Sequence, residues 1–276
     1  MTKSWLGTVI ALMLAAASAR AADLPVKGPP AVPQWNWTGF YLGGEVGAKW
    51  EQTTWSAASL SNLAGLKTID ASSPANYEPS GARVGGYFGY NWQFAPQWVG
   101  GLEFDGAYAN DKATATGLPG CAVSCNPTAG GGVASPSSDL SSVTMGWDVS
   151  ARARLGYLVT PTLLLYGTGG VAWQNFQTSG TCVHSVADPL CLVAQGFPST
   201  TASNSETRTG WTVGIGLETA IYGNWLLRGE YRYSDFGTFN GVFNFDVPGV
   251  PPGQDTYRYR LRVNTQIATF GLGYKF

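Results

Sequence analysis

The sequence predicts an all-β fold: a transmembrane antiparallel up-and-down β-barrel of eight strands, with short periplasmic turns and four long extracellular loops. Three observations predict it. Charged residues make up only 12% of the 276 positions, about half of the roughly 25% usual in globular chains. Gly, at 37 residues, and aromatics, at 13%, are abundant, yet beyond the N-terminus no apolar run approaches the ~18 residues of a helical span. From Trp37 onward, hydrophobicity alternates with period two in segments of about ten or more residues, long enough to cross a bilayer at a tilt. A net charge of −1 provides no basic field for nucleic acid, and a single histidine removes most histidine-dependent chemistry.

The N-terminus reads as an export signal over residues 1–21. Lys3 supplies the positive region, Leu6–Ala17 the short apolar region, and Ala19-Arg20-Ala21 the small-x-small cleavage pattern. Removing Lys3 and Arg20 takes the formal charge from −1 to −3. Residues 22–36 follow as a periplasmic lead-in, where Pro25, Pro29, Pro30 and Pro33 favour extended backbone and forbid a central strand. Residues 37–276 are assigned to the barrel.

Each strand shows an apolar face and a polar one. Thr38–Trp50 sets Phe40, Leu42, Val46 and Trp50 against Glu45 and Lys49. Gly81–Trp92 sets Val84, Phe88, Tyr90 and Trp92 against Arg83, Tyr87 and Asn91. Trp98–Tyr108 sets Leu102, Phe104 and Tyr108 against Glu103 and Asp105. Val143–Leu158 sets Met145, Trp147, Val149 and Leu155 against Asp148, Arg152 and Arg154. Leu163–Trp173 sets Leu165, Val171 and Trp173 against Tyr166 and Thr168. Arg208–Ile221 sets Trp211, Val213, Ile215 and Leu217 against Arg208 and Glu218. Trp225–Ser234 sets Leu227, Tyr231 and Tyr233 against Arg228, Glu230 and Arg232. Asn264–Phe276 sets Phe270, Leu272, Tyr274 and Phe276 against Lys275. Short connections (Gln93–Gln97, Val159–Thr162, Tyr222–Asn224) alternate with long ones (Thr53–Pro79, Ala109–Ser142, Gln174–Thr207, Asp235–Arg258). Aromatics gather at both strand ends. Trp37, Trp92, Trp98, Tyr157, Trp225 and Phe276 mark one girdle; Trp50, Tyr108, Trp173, Phe176, Trp211 and Tyr233 mark the other.

Ala22-Asp23-Leu24-Pro25, then Trp37-Thr38-Gly39-Phe40-Tyr41-Leu42-Gly43-Gly44, Glu230-Tyr231-Arg232-Tyr233 and the terminal Gly271-Leu272-Gly273-Tyr274-Lys275-Phe276 resemble the alphaproteobacterial outer-membrane immunogenic, or RopB-like, proteins. These are grouped with porin-like OmpA-type barrels. The resemblance covers the whole mature chain and implies residence in the outer membrane. It also implies that Phe270, Leu272, Tyr274 and Phe276 form the C-terminal signal read by the barrel assembly machinery, to which periplasmic chaperones deliver the chain. The sequence stops at the last strand, so no wall-binding domain is implied.

The inward charges carry the main functional expectation. Glu45, Lys49, Arg83, Glu103, Asp105, Asp148, Arg152, Arg154, Glu218, Arg228, Glu230, Arg232 and Lys275 are seven cations and six anions. An eight-strand lumen is just wide enough for side chains to fill, so these read as an ion-paired plug, with a narrow solute path as the alternative. Cys121 with Cys125, and Cys182 with Cys191, read as two loop-closing disulfides, though four cysteines permit three connectivities. His184 and Tyr77 are the evident axial-ligand candidates if the loops capture a ligand such as haemin. No catalytic pair, metal site or cofactor is expected. The reading is a structural, monomer-competent, non-enzymatic barrel in contact with outer-membrane lipid and lipopolysaccharide.

Overall fold

A computed structural model describes residues 35–62, 65–66, 68–122, 139–182, 199–245 and 255–276. The leader (1–21) and nearly all of the Pro-rich segment (22–36) lie outside the described residues, as do Cys125, His184 and Cys191. Ten strands are described: β1 (Gly39–Asn62), β2 (Gly65–Leu66), β3 (Ala75–Tyr77), β4 (Ser80–Ala95), β5 (Trp98–Thr116), β6 (Leu140–Thr160), β7 (Leu163–Cys182), β8 (Thr200–Tyr222), β9 (Trp225–Asn244) and β10 (Thr256–Lys275).

Eight of them are long and pair antiparallel in the order β1-β4-β5-β6-β7-β8-β9-β10. β10 then pairs back onto β1 from Tyr41↔Lys275 to Ser61↔Thr256 and closes the ring. Closure matters because a strand edge in hydrocarbon would leave backbone N–H and C=O groups without partners. β3 takes over from β4 beside β1: Trp50 faces Ser80, Thr53 faces Tyr77, and Pro79, which has no N–H to give, interrupts the ladder between them. At one end the turns hold only two residues each, Pro96-Gln97, Pro161-Thr162 and Gly223-Asn224. Gly223 has φ +53°, the left-handed geometry that glycine adopts without strain. The C-terminus lies at this end, where the Phe276 N–H donates to the Phe40 carbonyl at 2.9 Å.

The strands run well past the expected limits, and segments read as long loops prove to be largely strand. β1 continues twelve residues beyond Trp50, and β10 begins at Thr256 rather than Asn264. The reason is an inversion of the pattern. Up to the level of Trp50, Tyr108, Trp147, Trp211 and Tyr231, the outward residues are apolar and exposed, because lipid surrounds them. Beyond that level water surrounds the wall, so polar residues turn out and apolar ones turn in. On β10, Phe270, Leu272 and Tyr274 face outward in the lower part, whereas higher up the same face carries Arg258, Arg260 and Arg262, and Tyr257, Tyr259, Leu261 and Val263 are buried inside.

These inward residues build a hydrophobic core above the girdle. Trp55 lies at its centre, with ring centroids 4.9 Å from Tyr259, 5.7 Å from Tyr77 and 5.9 Å from Phe243. Its indole N–H donates to the Tyr257 hydroxyl at 2.9 Å, which donates in turn to the Pro119 carbonyl at 2.8 Å. Burial holds the Tyr257 phenol well above its ordinary range, so it remains a neutral donor. Four expectations are corrected here. Phe176 belongs to this core, not to the girdle. Met145 is buried inside rather than facing lipid, because a bulge between Met145 and Asp148 shifts the strand's parity. Tyr77 is not a loop ligand: it is buried on β3 with its hydroxyl 2.7 Å from Ser141 Oγ. Trp37 is fully buried, and its indole N–H donates to the Pro161 carbonyl at 3.1 Å. The β6–β7 turn stands across the ring from β1, so Trp37 lies over the periplasmic mouth instead of in the girdle.

Replacing Trp55 with Ala should destabilise this outer core by about 3–5 kcal/mol, the usual cost of deleting a buried aromatic. The expected phenotype is tryptic cleavage at Arg258, Arg260 or Arg262 with the membrane ring still heat-modifiable on gels; equal protease resistance in variant and parent contradicts a separate outer core.

Candidate functional site

The interior below the apolar core is a lattice of ion pairs, built from side chains that strand alternation places on the inner face. Glu45 and Lys49 come from β1, Arg83 from β4, Glu103 and Asp105 from β5, Asp148, Arg152 and Arg154 from β6, Glu218 from β8, and Arg228, Glu230 and Arg232 from β9; all are buried. β10 contributes small groups to this face, among them Thr265, Thr269, Gly271 and Gly273.

Glu103 is the central acceptor. Arg152 Nη2 donates to it at 2.6 Å, Arg228 Nη1 at 2.7 Å and the Tyr41 hydroxyl at 2.8 Å, while Arg154 Nη1 stands at 3.5 Å. Arg228 uses its other terminal nitrogen on Glu45 at 2.7 Å, so one guanidinium spans from β9 to both β1 and β5 across the lumen. Arg83 binds Glu45, Asp105 at 2.6 Å and Asp148 at 2.8 Å. Arg232 reaches Asp105 at 2.6 Å and Asp148 at 3.2 Å. Arg152 pairs with Glu230, which also accepts the Tyr166 hydroxyl at 3.0 Å. Arg154 pairs with Glu218 at 2.5 Å. The planar guanidinium suits this task, because several donors on one rigid fork serve two or three carboxylates at once.

Aromatic rings seat the cations. The Arg228 guanidinium carbon lies 3.4 Å from the Tyr87 ring centroid and that of Arg154 lies 4.0 Å from Tyr166. Tyr87 fits because its neighbour is Gly43, where a Cβ would come within 2.3 Å of the ring.

Twelve of the thirteen charges expected inside meet in this lattice. Lys275 is the exception: its ammonium donates to the Thr38 carbonyl at 3.1 Å at the periplasmic end. It follows the last membrane residues of β10, and its flexible stem carries the charge to the rim. Two carboxylates at the outer end of the lattice escaped the sequence reading, Glu51 and Asp111, both buried, as are Asp139 and Asp255 further out. Glu51 pairs with Lys49 at 2.9 Å and accepts from Gln174 Nε2 at 2.5 Å. Asp111 sits over Gly81, where a Cβ would come within 2.0 Å of its Oδ1. The signal was present in the continued alternation Lys49-x-Glu51-x-Thr53-x-Trp55, which the strand limit at Trp50 cut off. With them, the lattice among the described residues counts six cations against eight carboxylates, apart from Asp139 and Asp255, which are buried further out, and neither Asp111 oxygen has a hydrogen-bond partner among the described residues.

Of the four cysteines, Cys121 and Cys182 are buried in the outer apolar core and neither is a free thiol; their expected partners lie outside the described residues. Among the described residues no cluster of three His, Cys, Asp or Glu is arranged to hold a metal.

The profile of the outer membrane protein beta-barrel domain matches residues 9–276. The chain belongs to that family. Its relatives there include the 31 kDa outer-membrane immunogenic protein of Brucella melitensis, 32% identical over 99% of this chain and 100% of the relative. The 25 kDa outer-membrane immunogenic protein of Brucella abortus is 28% identical over 96% and 94%, and the 22 kDa outer membrane protein of Rhizobium leguminosarum is 28% identical over 93% and 83%. The resemblance read from the sequence motifs is thereby established, and with it the outer membrane as the protein's location.

Two substitutions at the lattice should act in opposite directions. Arg228→Met keeps the bulk but strands Glu103 and Glu45 with fewer donors, and should cost about 3–5 kcal/mol. Asp111→Asn removes a charge from the surplus side, and stability should hold or rise. Urea titrations of the folded barrels in lipid vesicles measure both; loss of stability in Asp111→Asn contradicts the charge count.

Proposed function

We propose that this family member is a structural outer-membrane barrel whose lumen is closed to solutes and whose long connections face the exterior. The observation that carries the reading is the cross-lumen reach of Arg228 and Arg232, whose guanidinium groups extend from β9 to Glu103 and Asp105 of β5 on the opposite side of the ring. Such a cross-brace occupies the bore that a solute path requires. Trp37 below and the Trp55 core above support closure at both mouths. The immunogenic relatives fit a chain that presents its outer connections to the surroundings. One histidine in the chain supports a non-enzymatic role. In this reading Cys121–Cys125 and Cys182–Cys191 disulfides tie down the outer connections, and lipopolysaccharide is the surrounding lipid.

Planar bilayer recording tests closure. The purified protein, its insertion verified by protease protection, should give no reproducible conductance steps, and discrete steps in the unmodified protein overturn the proposal in favour of a pore.

Assembly is tested at the other end of the chain. Phe276 is exposed, packs against Tyr274 with ring centroids 5.3 Å apart, and bonds to the start of β1. Deleting it should lower the fraction of heat-modifiable, protease-resistant barrel in the outer membrane; unchanged assembly argues against its role as the signal for the assembly machinery.

A further inference from the structure

The outer wall of β10 carries a feature that lumen closure does not use. Arg258, Arg260 and Arg262 all point outward and are exposed, one above another on a single strand. Their neighbours across the ladders are small or neutral: Ser59 and Val242, Ser56 and Asn240, Thr54 and Thr238. Arg262 is 67% exposed and 3.8 Å from Asp235. No other carboxylate among the described residues lies within ion-pair distance of the three. Arg258 and Arg260 have no carboxylate within ion-pair distance among the described residues to relieve their repulsion, and an outward position in water accepts serine or threonine equally well.

The position of the stripe selects its partner. Arg262 lies four residues above Gln266, which is level with Trp50 at the outer girdle. At about 3.4 Å per residue and a 45° tilt, the three arginines stand roughly 10–20 Å above the hydrocarbon boundary. Directly beneath them the wall holds a cleft of about 530 Å³ lined by Trp50, Gln52, Glu78, Ser80, Tyr231 and Gln266. Exposed aromatic faces beside carboxamides suit a sugar ring, whose C–H face packs on the ring while its hydroxyls bond the amides. Below the cleft the same wall presents Phe270 and Leu272 to acyl chains. Acyl-facing wall, sugar-sized cleft and cationic stripe follow one another up the outside of β10.

We propose that this wall binds an anionic glycolipid of the outer leaflet, its saccharide in the Trp50–Tyr231 cleft and its phosphate or carboxylate groups on Arg258, Arg260 and Arg262. Glu78 at the cleft's far rim directs the anionic groups toward the arginines. The proposal rests on the outward orientation of the long connections and not on closure of the lumen.

Binding of a rough lipopolysaccharide, whose phosphorylated inner core extends above its lipid A, to the purified full-length barrel in neutral detergent tests it. The R258Q/R260Q/R262Q variant should bind roughly 100-fold more weakly, taking about fivefold per surface cation, while lipid A without the inner core should distinguish variant from parent far less. Tyr231→Ala should weaken lipopolysaccharide binding and leave binding of heparin, a soluble polyanion without acyl chains, unchanged. Equal lipopolysaccharide affinity in the triple variant and the parent overturns the proposal. So does a triple variant that loses heparin but keeps the lipopolysaccharide, which assigns the stripe to a soluble partner. If the triple variant fails to give a heat-modifiable barrel, Arg260→Gln alone should show the fivefold loss, and no loss there also overturns it. Conductance recorded on the same samples reports separately on the lumen.

Discussion

An eight-strand ring in lipid has no spare room, and most of this structure follows from that limit. Lipid claims the outer face for apolar side chains, so polar residues can only turn inward, into a bore about as wide as the side chains that line it. Charges enclosed there lose their water and must be compensated by one another. Glu103 illustrates the outcome: donors from β1, β6 and β9 converge on one carboxylate of β5. The glycines of the inner face answer the same limit, since Tyr87 occupies the volume that a side chain at Gly43 would need.

The limit relaxes toward the exterior. There the lattice ends in Glu51 and Asp111 and gives way to Trp55, Tyr257 and Tyr259. The outer third of the molecule is organised like a water-soluble β-protein, with an aromatic core inside and serine, threonine and arginine outside. One continuous set of strands thus passes through two solvents, and each strand changes its pattern where the solvent changes.

That change explains which parts were legible in the sequence. Where lipid is the solvent, the alternation of Val84, Phe88 and Tyr90 against Arg83 and Tyr87 is unambiguous, and strand number, turn positions and most of the lattice follow from it. Beyond the girdle, alternation persists with its sign reversed, and a reading tuned to apolar-out residues takes Thr54 and Ser56 as part of a loop. Glu51, Asp111 and the Trp55 core were lost for that reason alone. Met145 was misplaced by a bulge, which shifts parity without any mark in local composition. Trp37 was misplaced because a tryptophan near a strand end has the same composition whether it anchors in the interface or folds across the mouth; only its bond to Pro161, 124 residues away in the chain, distinguishes the two.

The extension of the wall beyond the membrane also determines what can be attached to this molecule. From Gln266 to Thr256, β10 rises ten residues, which at the usual strand rise and tilt lifts its far end roughly 20–25 Å above the hydrocarbon. Hydrogen-bonded neighbours on both sides make that height a rigid pedestal. A foreign peptide grafted between Phe245 and Asp255, which hydrogen-bond at the outer end of β9 and β10, would start and finish on such a pedestal, clear of the inner sugars of the leaflet, and its length would alter neither the registry of the staves nor the ion lattice far below. Where the strands stop thus decides how far above the leaflet any attached segment begins.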